Sequence, residues 1–465
     1  MKKLSFLFLF LCFQVAFGQN IEGQWNGVLS VQGTQLRLVF NIQKTGDTYT
    51  ATMDSPDQGA KGIAVTNTTF DGTKISLEVA NAGIKYEGTL ADDSKISGTF
   101  SQGTFKTPME LGREKKAVKK VARPQDPVEP LGYYAEEVKF ENSVDKITLA
   151  GTLTLPKKEG KFPVVVLITG SGPQNRDEEL MNHRPFLVIA DHLTKNGIAV
   201  LRYDDRGMFG STGTFKGATS FDFAKDVDAA VAYLKTRKEI DPNKIGLAGH
   251  SEGGLIAPLV ASKNADVAFI VLLAGPGIPG YELLPIQSSL IQLADGASTK
   301  EVQKAEKLNA KLFKMAGEST DTEKLKAELT VELKEIYANA TKEELAKAGT
   351  EEEFLKTQLV ALTDPWLLTF LKYDPRPTLE KVKCPVLALN GSKDLQVPPK
   401  EDLGAIEKAL KKGKNKDFKI VELPNLNHLF QECTTGSPKE YGKIEQTFAP
   451  VALDTMTSWI LERVK

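Results

Sequence analysis

A serine within a short run of small residues is the first group in this chain that could do chemistry. Residues 249–254 read Gly-His-Ser-Glu-Gly-Gly, follow an apolar strand pattern at 245–248 and precede a helix-compatible run. Gly-x-Ser-x-Gly between a strand and a helix is typical of a nucleophile elbow, where a strained turn holds the serine hydroxyl above a sheet. The flanking glycines remove side chains that would collide across that turn. We therefore expect Ser251 to act as a nucleophile.

A serine hydroxyl is a weak nucleophile unless a base accepts its proton, and the chain has four histidines. His428 lies in a loop after a strand pattern that ends at residue 423, late in the chain, where it can be presented to the serine. His250 adjoins Ser251, so its side chain should diverge from the hydroxyl and lie beside the turn. His192 belongs to a helical stretch, and His183 lies in a polar loop that could line a site. The sequence favours His428 as the base.

An acidic residue must orient the imidazole and stabilise its charged form. Asp394 closes the run Asn-Gly-Ser-Lys-Asp, just past an apolar strand pattern at 386–389. The order Ser, Asp, His is one that occurs in serine hydrolases. Asp364 and Asp374 are alternatives, but neither follows a predicted strand of a sheet. Asp394 is the predicted third member.

An oxyanion hole needs two backbone amides placed where negative charge develops. One should be the amide of Glu252, the residue after the nucleophile. The other should come from the loop Thr-Gly-Ser-Gly-Pro-Gln-Asn-Arg-Asp at 169–177, which follows a strand pattern. We expect Ser171 to supply it, with Gly172 as the next choice. The loop lacks the Gly-Lys-Ser/Thr of a phosphate-binding loop, and no dinucleotide fingerprint is complete.

These residues sit on a recurring pattern of apolar strands separated by amphipathic helices. The strand patterns lie at 164–168, 198–201, 245–248, 269–273, 386–389 and 418–423. Unbroken apolar strands are those covered by helices on both faces, so the pattern predicts a mostly parallel α/β sheet. Charged helical patterns between about 275 and 375 predict an insertion above the carboxyl ends of the strands, where a lid would cover a ligand.

The N-terminal part has a different sequence pattern. Residues 19–112 read as short β-branched runs separated by turn signals and open with Gly-x-Trp, which predicts a small all-β barrel or sandwich. A packing or substrate-presenting module is favoured over a ligand-binding barrel. The Lys-rich and then Pro-rich stretch 113–130 predicts a linker, and 131–465 the α/β domain.

The first eighteen residues have the layout of a secretory signal peptide. Lys2 and Lys3 precede an apolar run at 4–17, and Ala16 and Gly18 suit cleavage before Gln19. The run is short for a membrane span, and no later segment is apolar enough to be one. We therefore expect an exported protein, periplasmic or secreted, with no integral membrane segment after signal removal.

Composition excludes some partners. Lys and Arg number 59 against 60 Asp and Glu, so the chain lacks the basic excess of a nucleic-acid-binding protein.

Beyond the signal peptide two cysteines remain, Cys384 and Cys433. Two buried free thiols are favoured over a disulfide, and neither cysteine has the spacing of a metal site. No cofactor or metal is expected.

Five motifs in this order carry a family resemblance. They are Gly-Ser-Gly-Pro-x-x-Arg-Asp, Arg-Tyr-Asp-Asp-Arg-Gly from Arg202, Gly-His-Ser-Glu-Gly-Gly, Gly-Ser-Lys-Asp and Asn-His. The set resembles bacterial serine esterases of the α/β-hydrolase superfamily, especially secreted carboxylesterases with an extra N-terminal β-domain, and more distantly serine aminopeptidases and acyl hydrolases. It covers about 135–465 and implies an α/β-hydrolase fold with a helical lid insertion. Arg206 is interpreted as a buried hydrogen-bonding residue.

The expected activity is hydrolysis of a small-molecule carboxylic ester through an acyl-enzyme, without a cofactor. The alternative is a serine peptidase of the aminopeptidase type, which would need acidic groups for an amine terminus, and Glu351, Glu352 and Glu353 are candidates. A solvated helix start explains these three more simply. A non-enzymatic binding protein is disfavoured by the complete set of Ser, Asp and His. The natural substrate and the oligomeric state are not predicted.

Overall fold

The computed structural model describes residues 21–31, 34–46, 48–56, 60–102, 105–115 and 123–465. The chain divides into two compact units, residues 1–121 and residues 122–465. The predicted signal peptide at 1–18 lies outside the described residues. Among the helices that the structure describes, none combines the length and the apolar character needed to cross a membrane.

The first unit is all-β, as predicted. Its strands are β1 (Gly23–Val31), β2 (Thr34–Thr45), β3 (Thr48–Ser55), β4 (Ala60–Ala64), β5 (Asn67–Phe70), β6 (Lys74–Val79), β7 (Ile84–Asp92), β8 (Lys95–Gln102) and β9 (Phe105–Gly112). They form one antiparallel sheet in the order β4-β3-β2-β1-β9-β8-β7-β6-β5. Strand β5, at one end of the sheet, contacts β3, which lies near the other end, so the sheet curls on itself.

The interior of this sheet is filled with side chains. Trp25 is fully buried, and its indole nitrogen donates to the carbonyl of Ile21 at 2.7 Å. The Tyr86 hydroxyl donates to the carbonyl of Met109 at 3.0 Å. A Cβ added at Gly98 would lie 2.5 Å from that hydroxyl. The side chains around Gly98 and Tyr86 are therefore closely packed.

The second unit contains an eight-stranded sheet in the order β10-β11-β13-β12-β14-β15-β16-β17. Its strands are β10 (Tyr134–Asn142), β11 (Ile147–Leu155), β12 (Phe162–Ile168), β13 (Ala199–Tyr203), β14 (Ile240–His250), β15 (Val267–Leu273), β16 (Val386–Gly391) and β17 (Phe418–Leu423). Strands β12 to β17 pair in parallel and correspond to the predicted strands. Strands β10 and β11 pair antiparallel at one end of the sheet and were not predicted.

Helices cover both faces of this sheet. They are α1 (Pro185–Lys195), α2 (Ser220–Lys235), α3 (Glu252–Ala261), α11 (Pro399–Lys412) and α12 (Pro450–Arg463). Alternate residues of β12 face opposite layers, because Val164 packs in the core beneath α2, α3 and α11 while Val165 packs in the core beneath α1 and α12. The predicted α/β fold with helices on both faces is confirmed.

The predicted helical insertion lies between β15 and β16. It comprises α4 (Gly280–Ala294), α5 (Thr299–Glu318), α6 (Thr322–Ala338), α7 (Lys342–Ala348), α8 (Glu351–Leu362), α9 (Pro365–Lys372) and α10 (Arg376–Leu379). Leu325, Leu329 and Leu333 recur every four residues on α6 and are fully buried against leucines of α5, α8 and α9. The insertion therefore has a hydrophobic core of its own.

The chain enters the second unit through polar contacts. Arg123 donates to the carbonyls of Met181 at 2.8 Å and Ile444 at 2.6 Å, and Gln125 donates to the carbonyl of Phe448 at 2.6 Å. Part of the stretch that the sequence assigns to a linker is thus bonded to the second unit.

Candidate active site

Ser251 occupies the sharp turn between β14 and α3. Its φ and ψ are 51° and −118°, in a region that costs a serine energy and is retained where the surroundings enforce it. The turn is closed by backbone contacts, since a Cβ at Gly249 would lie 2.0 Å from the carbonyl oxygen of Gly253. The Ser251 amide donates to the carbonyl of Leu273 at 2.9 Å. This is the geometry of a nucleophile elbow.

His428 and Asp394 form a buried pair at the ends of two neighbouring strands. Nδ1 of His428, in the loop after β17, lies 2.8 Å from Oδ2 of Asp394, which follows β16. Oδ1 of Asp394 accepts the amides of Gln396 at 2.8 Å and Val397 at 2.9 Å. Both carboxylate oxygens are engaged, and an aspartate in this position can accept a hydrogen bond from Nδ1, an arrangement in which Nε2 would be free to accept a proton.

Ser251 and His428 line the same cavity, which has a volume of about 100 Å³. The other residues of its wall come mostly from the loops after β12 and β17: Gly170, Ser171, Gln174, Glu178, Leu180, His183, Pro185, His250, Gln396, Leu429 and Thr447. Asp394 lies behind His428 and is 2% exposed. The structure thus brings the three predicted residues to one rim of the sheet.

Ser171, the predicted amide donor, also lies in the cavity wall. The amide of Gly170 before it is committed to Oε1 of Glu178, at 2.6 Å, so Ser171 supplies the next amide along the loop. Glu252, the second predicted donor, is the first residue of α3. The amides of a helix N-terminus favour developing negative charge.

The side chain of Glu252 is buried and bonded. Its Oε1 accepts the Ser220 hydroxyl at 2.5 Å and the indole nitrogen of Trp366 at 2.9 Å. Burial raises the pKa of this carboxyl, against the lowering effect of those two hydrogen bonds. Trp366 belongs to α9, so the insertion is bonded to the turn of the nucleophile.

His250 forms a second histidine–carboxylate pair, with Glu178. Its Nδ1 lies 3.0 Å from Oε1 of Glu178, and its Nε2 lies 2.9 Å from the carbonyl oxygen of His428. Because both partners offer acceptor oxygens, the two contacts suit a ring that carries a hydrogen on each nitrogen. Burial alone would lower the pKa of His250, but the charge and hydrogen bond of Glu178 raise it above its usual value.

The remaining histidines also have structural partners. Nδ1 of His183 lies 3.0 Å from the hydroxyl of Thr447, and its Nε2 lies 2.8 Å from the carbonyl oxygen of Tyr441. Burial lowers the pKa of His183 to about 4, so it is neutral at pH 7. His192 lies 3.5 Å from Asp454 on the surface.

The loop that carries Ser171 donates hydrogen bonds to the side chains of two aspartates, Asp204 and Asp205, that follow β13. Arg176 donates through its Nε and one terminal nitrogen to Asp204, at 3.1 and 2.8 Å. Asp205 accepts from the Thr169 hydroxyl and the Gln174 amide, both at 2.8 Å. Two of the motifs that carry the family resemblance are therefore partners of one another.

Arg206 lies outside the cavity wall. It donates to Asp226 through two nitrogens, at 2.7 and 2.8 Å, and to Asp145 at 2.9 Å. These contacts agree with its interpretation as a buried structural residue. Cys384 and Cys433 are free thiols, but both are half-buried and not buried as predicted. Within the described residues, no three His, Cys, Asp or Glu side chains are grouped to hold a metal.

Comparison with known proteins assigns the second unit to a family. A family model described as serine aminopeptidase, S33, matches residues 184–432, just over half of the chain. The chain belongs to the serine aminopeptidase S33 family. The match spans Ser251, Asp394, His428 and the helical insertion, whereas Ser171 lies outside it. Membership confirms the predicted α/β-hydrolase relationship.

Two curated relatives of this S33 family member are informative. Esterase EstD of Thermotoga maritima is 27% identical over 398 residues, which cover 84% of this chain and 81% of the relative. An uncharacterised 31.7 kDa protein of Escherichia coli, from the traX-finO intergenic region, is 25% identical over 260 residues, 54% of this chain and 80% of the relative.

Among solved structures, an esterase of Pyrococcus furiosus is 15% identical with a TM-score of 0.42, covering 75% of this chain and all of that one. Est1E of Butyrivibrio proteoclasticus, solved with ferulic acid bound, is 19% identical with a TM-score of 0.40, covering 70% of this chain and 99% of its own.

Two residues that contact the neighbours of Ser251, Glu178 and Trp366, were not predicted. Glu178 follows the Arg-Asp pair of the loop after β12 and contacts His250, which is 72 positions later. Trp366 contacts Glu252, which is 114 positions earlier. Trp366 lies in the apolar helix α9, where nothing in the local sequence specifies a contact with Glu252.

Proposed function

We propose that this chain is a serine hydrolase that cleaves carboxylic esters, with Ser251 as nucleophile, His428 as general base and acid, and Asp394 as the group that orients the base. One observation carries the proposal. Ser251, held on a strained turn, and His428, bonded through Nδ1 to a buried carboxylate, line a single small cavity. A nucleophile beside an oriented base is the requirement for acyl transfer.

In the proposed reaction, the Ser251 hydroxyl oxygen attacks the ester carbonyl carbon while Nε2 of His428 takes its proton. The amides of Ser171 and Glu252 donate to the oxyanion. The imidazolium then protonates the departing alkoxide of the ester. The alcohol is released, and the acyl group remains bonded to Ser251. Water repeats the sequence with His428 as base, releasing the acid and restoring the hydroxyl. Asp394 stabilises the imidazolium in both halves without taking the proton.

Two observations favour an ester over a peptide. The family description names an aminopeptidase, but the acidic run Glu351–Glu353 opens helix α8 and is exposed, and Glu353 accepts the amide and hydroxyl of Thr350 as a helix cap. Glu353 is therefore engaged as a helix cap, which supports the simpler interpretation of this run as a solvated helix start. The long relative from Thermotoga maritima is named an esterase.

A substrate panel tests the proposal. p-Nitrophenyl esters of increasing acyl length, assayed beside aminoacyl and peptidyl anilides, should show faster turnover of the esters. Ser251→Ala should lower turnover on the order of a millionfold. Ser262→Ala, at the other end of α3, is the matched control and should retain activity. Faster anilide turnover, or an active Ser251→Ala variant, would contradict the proposal.

The proposal includes export, which is supported by the pattern of residues 1–18. In a bacterial host, the mature protein outside the cytoplasm should begin at Gln19, as read by mass spectrometry of its N-terminal peptide. An intact Met1 end in the cytosolic fraction would contradict export without affecting the proposed chemistry.

A further inference from the structure

The side chain of His250 contacts His428 in two ways. Its Nε2 lies 2.9 Å from the carbonyl oxygen of His428, and the two rings lie with their centroids 4.8 Å apart. His250 is the only hydrogen-bond donor to this carbonyl among the residues that the structure describes. Because both residues are buried, loss of this donor would leave the carbonyl unpaired, at a cost in free energy.

The ring of His250 is held at its other nitrogen as well. Nδ1 lies 3.0 Å from Oε1 of Glu178, and that oxygen also accepts the Gly170 amide at 2.6 Å. A carbonyl oxygen can only accept a hydrogen bond, so the hydrogen shared with His428 belongs to Nε2 of His250. This assignment does not depend on which partner supplies the hydrogen at Nδ1. The ring is therefore bonded on both sides before substrate binds.

His250 is also the chain neighbour of Ser251. The Cα atoms of consecutive residues are about 3.8 Å apart, and the turn after His250 is closed by the close approach of Gly249 to Gly253. The backbone of His250 is thus fixed relative to the nucleophile, while its side chain contacts the base. The residue spans the two groups that must come within hydrogen-bond reach for a proton to be transferred.

We propose that His250 is a positioning residue, whose Nε2–H holds the backbone of His428 so that its imidazole stays within reach of Ser251. This inference rests on the proposed function. Without the donor, the loop after β17 would shift to pair its buried carbonyl elsewhere, and the base would move with it. A displacement of about 1 Å at a catalytic group can lower turnover about a hundredfold.

Two substitutions separate this donor from the rest of the ring. In His250→Gln, the amide nitrogen can take the place of Nε2 and donate to His428. In His250→Asn, the amide nitrogen can take the place of Nδ1 and donate to Glu178, and the bond to His428 is lost. We expect His250→Asn to lower kcat/KM about a hundredfold. His250→Gln should recover about tenfold or more of that loss, because it restores one buried hydrogen bond.

The panel of p-nitrophenyl esters separates positioning from contact with substrate. His250 forms part of the cavity wall, so a direct contact with the acyl group would make the loss depend on acyl length. A displaced base should instead lower kcat/KM by the same factor for every ester. His192→Asn makes the same change at a histidine outside the cavity wall and should keep the wild-type values. Urea unfolding verifies that each variant is folded.

A second measurement does not require a His250 variant to fold. The chain has four histidines, so labelling histidine with ¹⁵N gives few imidazole signals in a nuclear magnetic resonance spectrum. Replacing each of the other three histidines in turn assigns the remaining signals to His250. At neutral pH its Nε2 should carry a hydrogen, which the nitrogen shift and the coupling to that hydrogen report.

An Nε2 without a hydrogen would overturn the inference. Wild-type kcat/KM in His250→Asn, or equal losses in the asparagine and glutamine variants, would also overturn it. A loss that varies with acyl length would show that His250 contacts substrate and does not act through His428. Failure of the wild-type enzyme to hydrolyse any of the esters would instead overturn the proposed function.

Discussion

The indole nitrogen of Trp366 lies 2.9 Å from Oε1 of Glu252, the residue that follows Ser251. Trp366 stands near the start of α9 in the helical insertion, and Glu252 is the first residue of α3. The insertion is therefore hydrogen-bonded to the turn that holds the nucleophile. Because the carboxylate is buried, its donors matter more to stability than those of a surface group.

Replacing Trp366 by Phe removes this donor and leaves the carboxylate with the Ser220 hydroxyl. We expect the free energy of unfolding to fall by about 1–3 kcal/mol more than in the Trp459→Phe control. Trp459→Phe is the control because it makes the same change of ring at a tryptophan whose indole nitrogen has no partner among the described residues. Urea unfolding measures both variants, and equal losses would show that the bond to Glu252 contributes nothing.

Asp394→Asn tests the orientation of the base. An asparagine can present its amide to Nδ1 of His428 and select the wrong tautomer, so we expect kcat to fall on the order of ten-thousandfold while the fold is retained. Asp364→Asn is the control, since Asp364 caps α9 and asparagine caps helices equally well. The measurement is kcat from steady-state kinetics with one ester. A comparable loss of kcat in both variants would contradict the proposed role of Asp394.

The proposed oxyanion donor is the amide of Ser171, not its hydroxyl. Ser171→Ala keeps the amide and should behave like the wild-type enzyme. Ser171→Pro removes it and should lower kcat by about a hundred- to a thousandfold. Thermal melting confirms that both variants are folded. If the alanine variant loses activity as the proline variant does, the hydroxyl and not the amide is the functional group.

Asp402 should make the second unit less stable as the pH rises. It is fully buried, its Oδ1 accepts the amides of Gly277 and Ile278, and burial raises its pKa to about 7 from the usual value of 3.8. The folded state therefore keeps a proton that the unfolded state loses, so stability is complete below pH 3.8 and declines up to about pH 7.

Asp402→Asn should flatten this decline, which is worth up to about 4 kcal/mol for one such group. The measurement is the free energy of unfolding in urea at several pH values between 4 and 7.5. Asp454→Asn, at an exposed position, serves as the control and should keep the wild-type slope. An unchanged slope in the Asp402 variant would assign the pH dependence to other groups.

The positions of Ser251, Asp394 and His428 could be predicted because each follows a strand whose apolar run is visible locally. Parallel strands present their carboxyl ends at one edge, so three such loops converge without any knowledge of distant contacts. The helical insertion was equally visible, since its charged amphipathic pattern interrupts the strand rhythm.

Contacts between distant polar residues could not be predicted in this way. Glu178 and His250 meet across 72 positions, and nothing in either local sequence specifies the other. Strand β10 was missed because it alternates exposed charged residues with buried ones on a sheet edge, and its partner β11 is broken by small and polar residues. The local periodicity of a sequence indicates which side chains are buried, but it does not indicate which strands or distant residues pair with one another.

The central claim is that Ser251 is a nucleophile activated by His428, and labelling with a fluorophosphonate tests it most directly. Peptide mass spectrometry should find one adduct, on Ser251, and its rate of formation should fall by several orders of magnitude in His428→Ala. An adduct on another residue, or labelling of Ser251 at the same rate without the imidazole, would contradict the account.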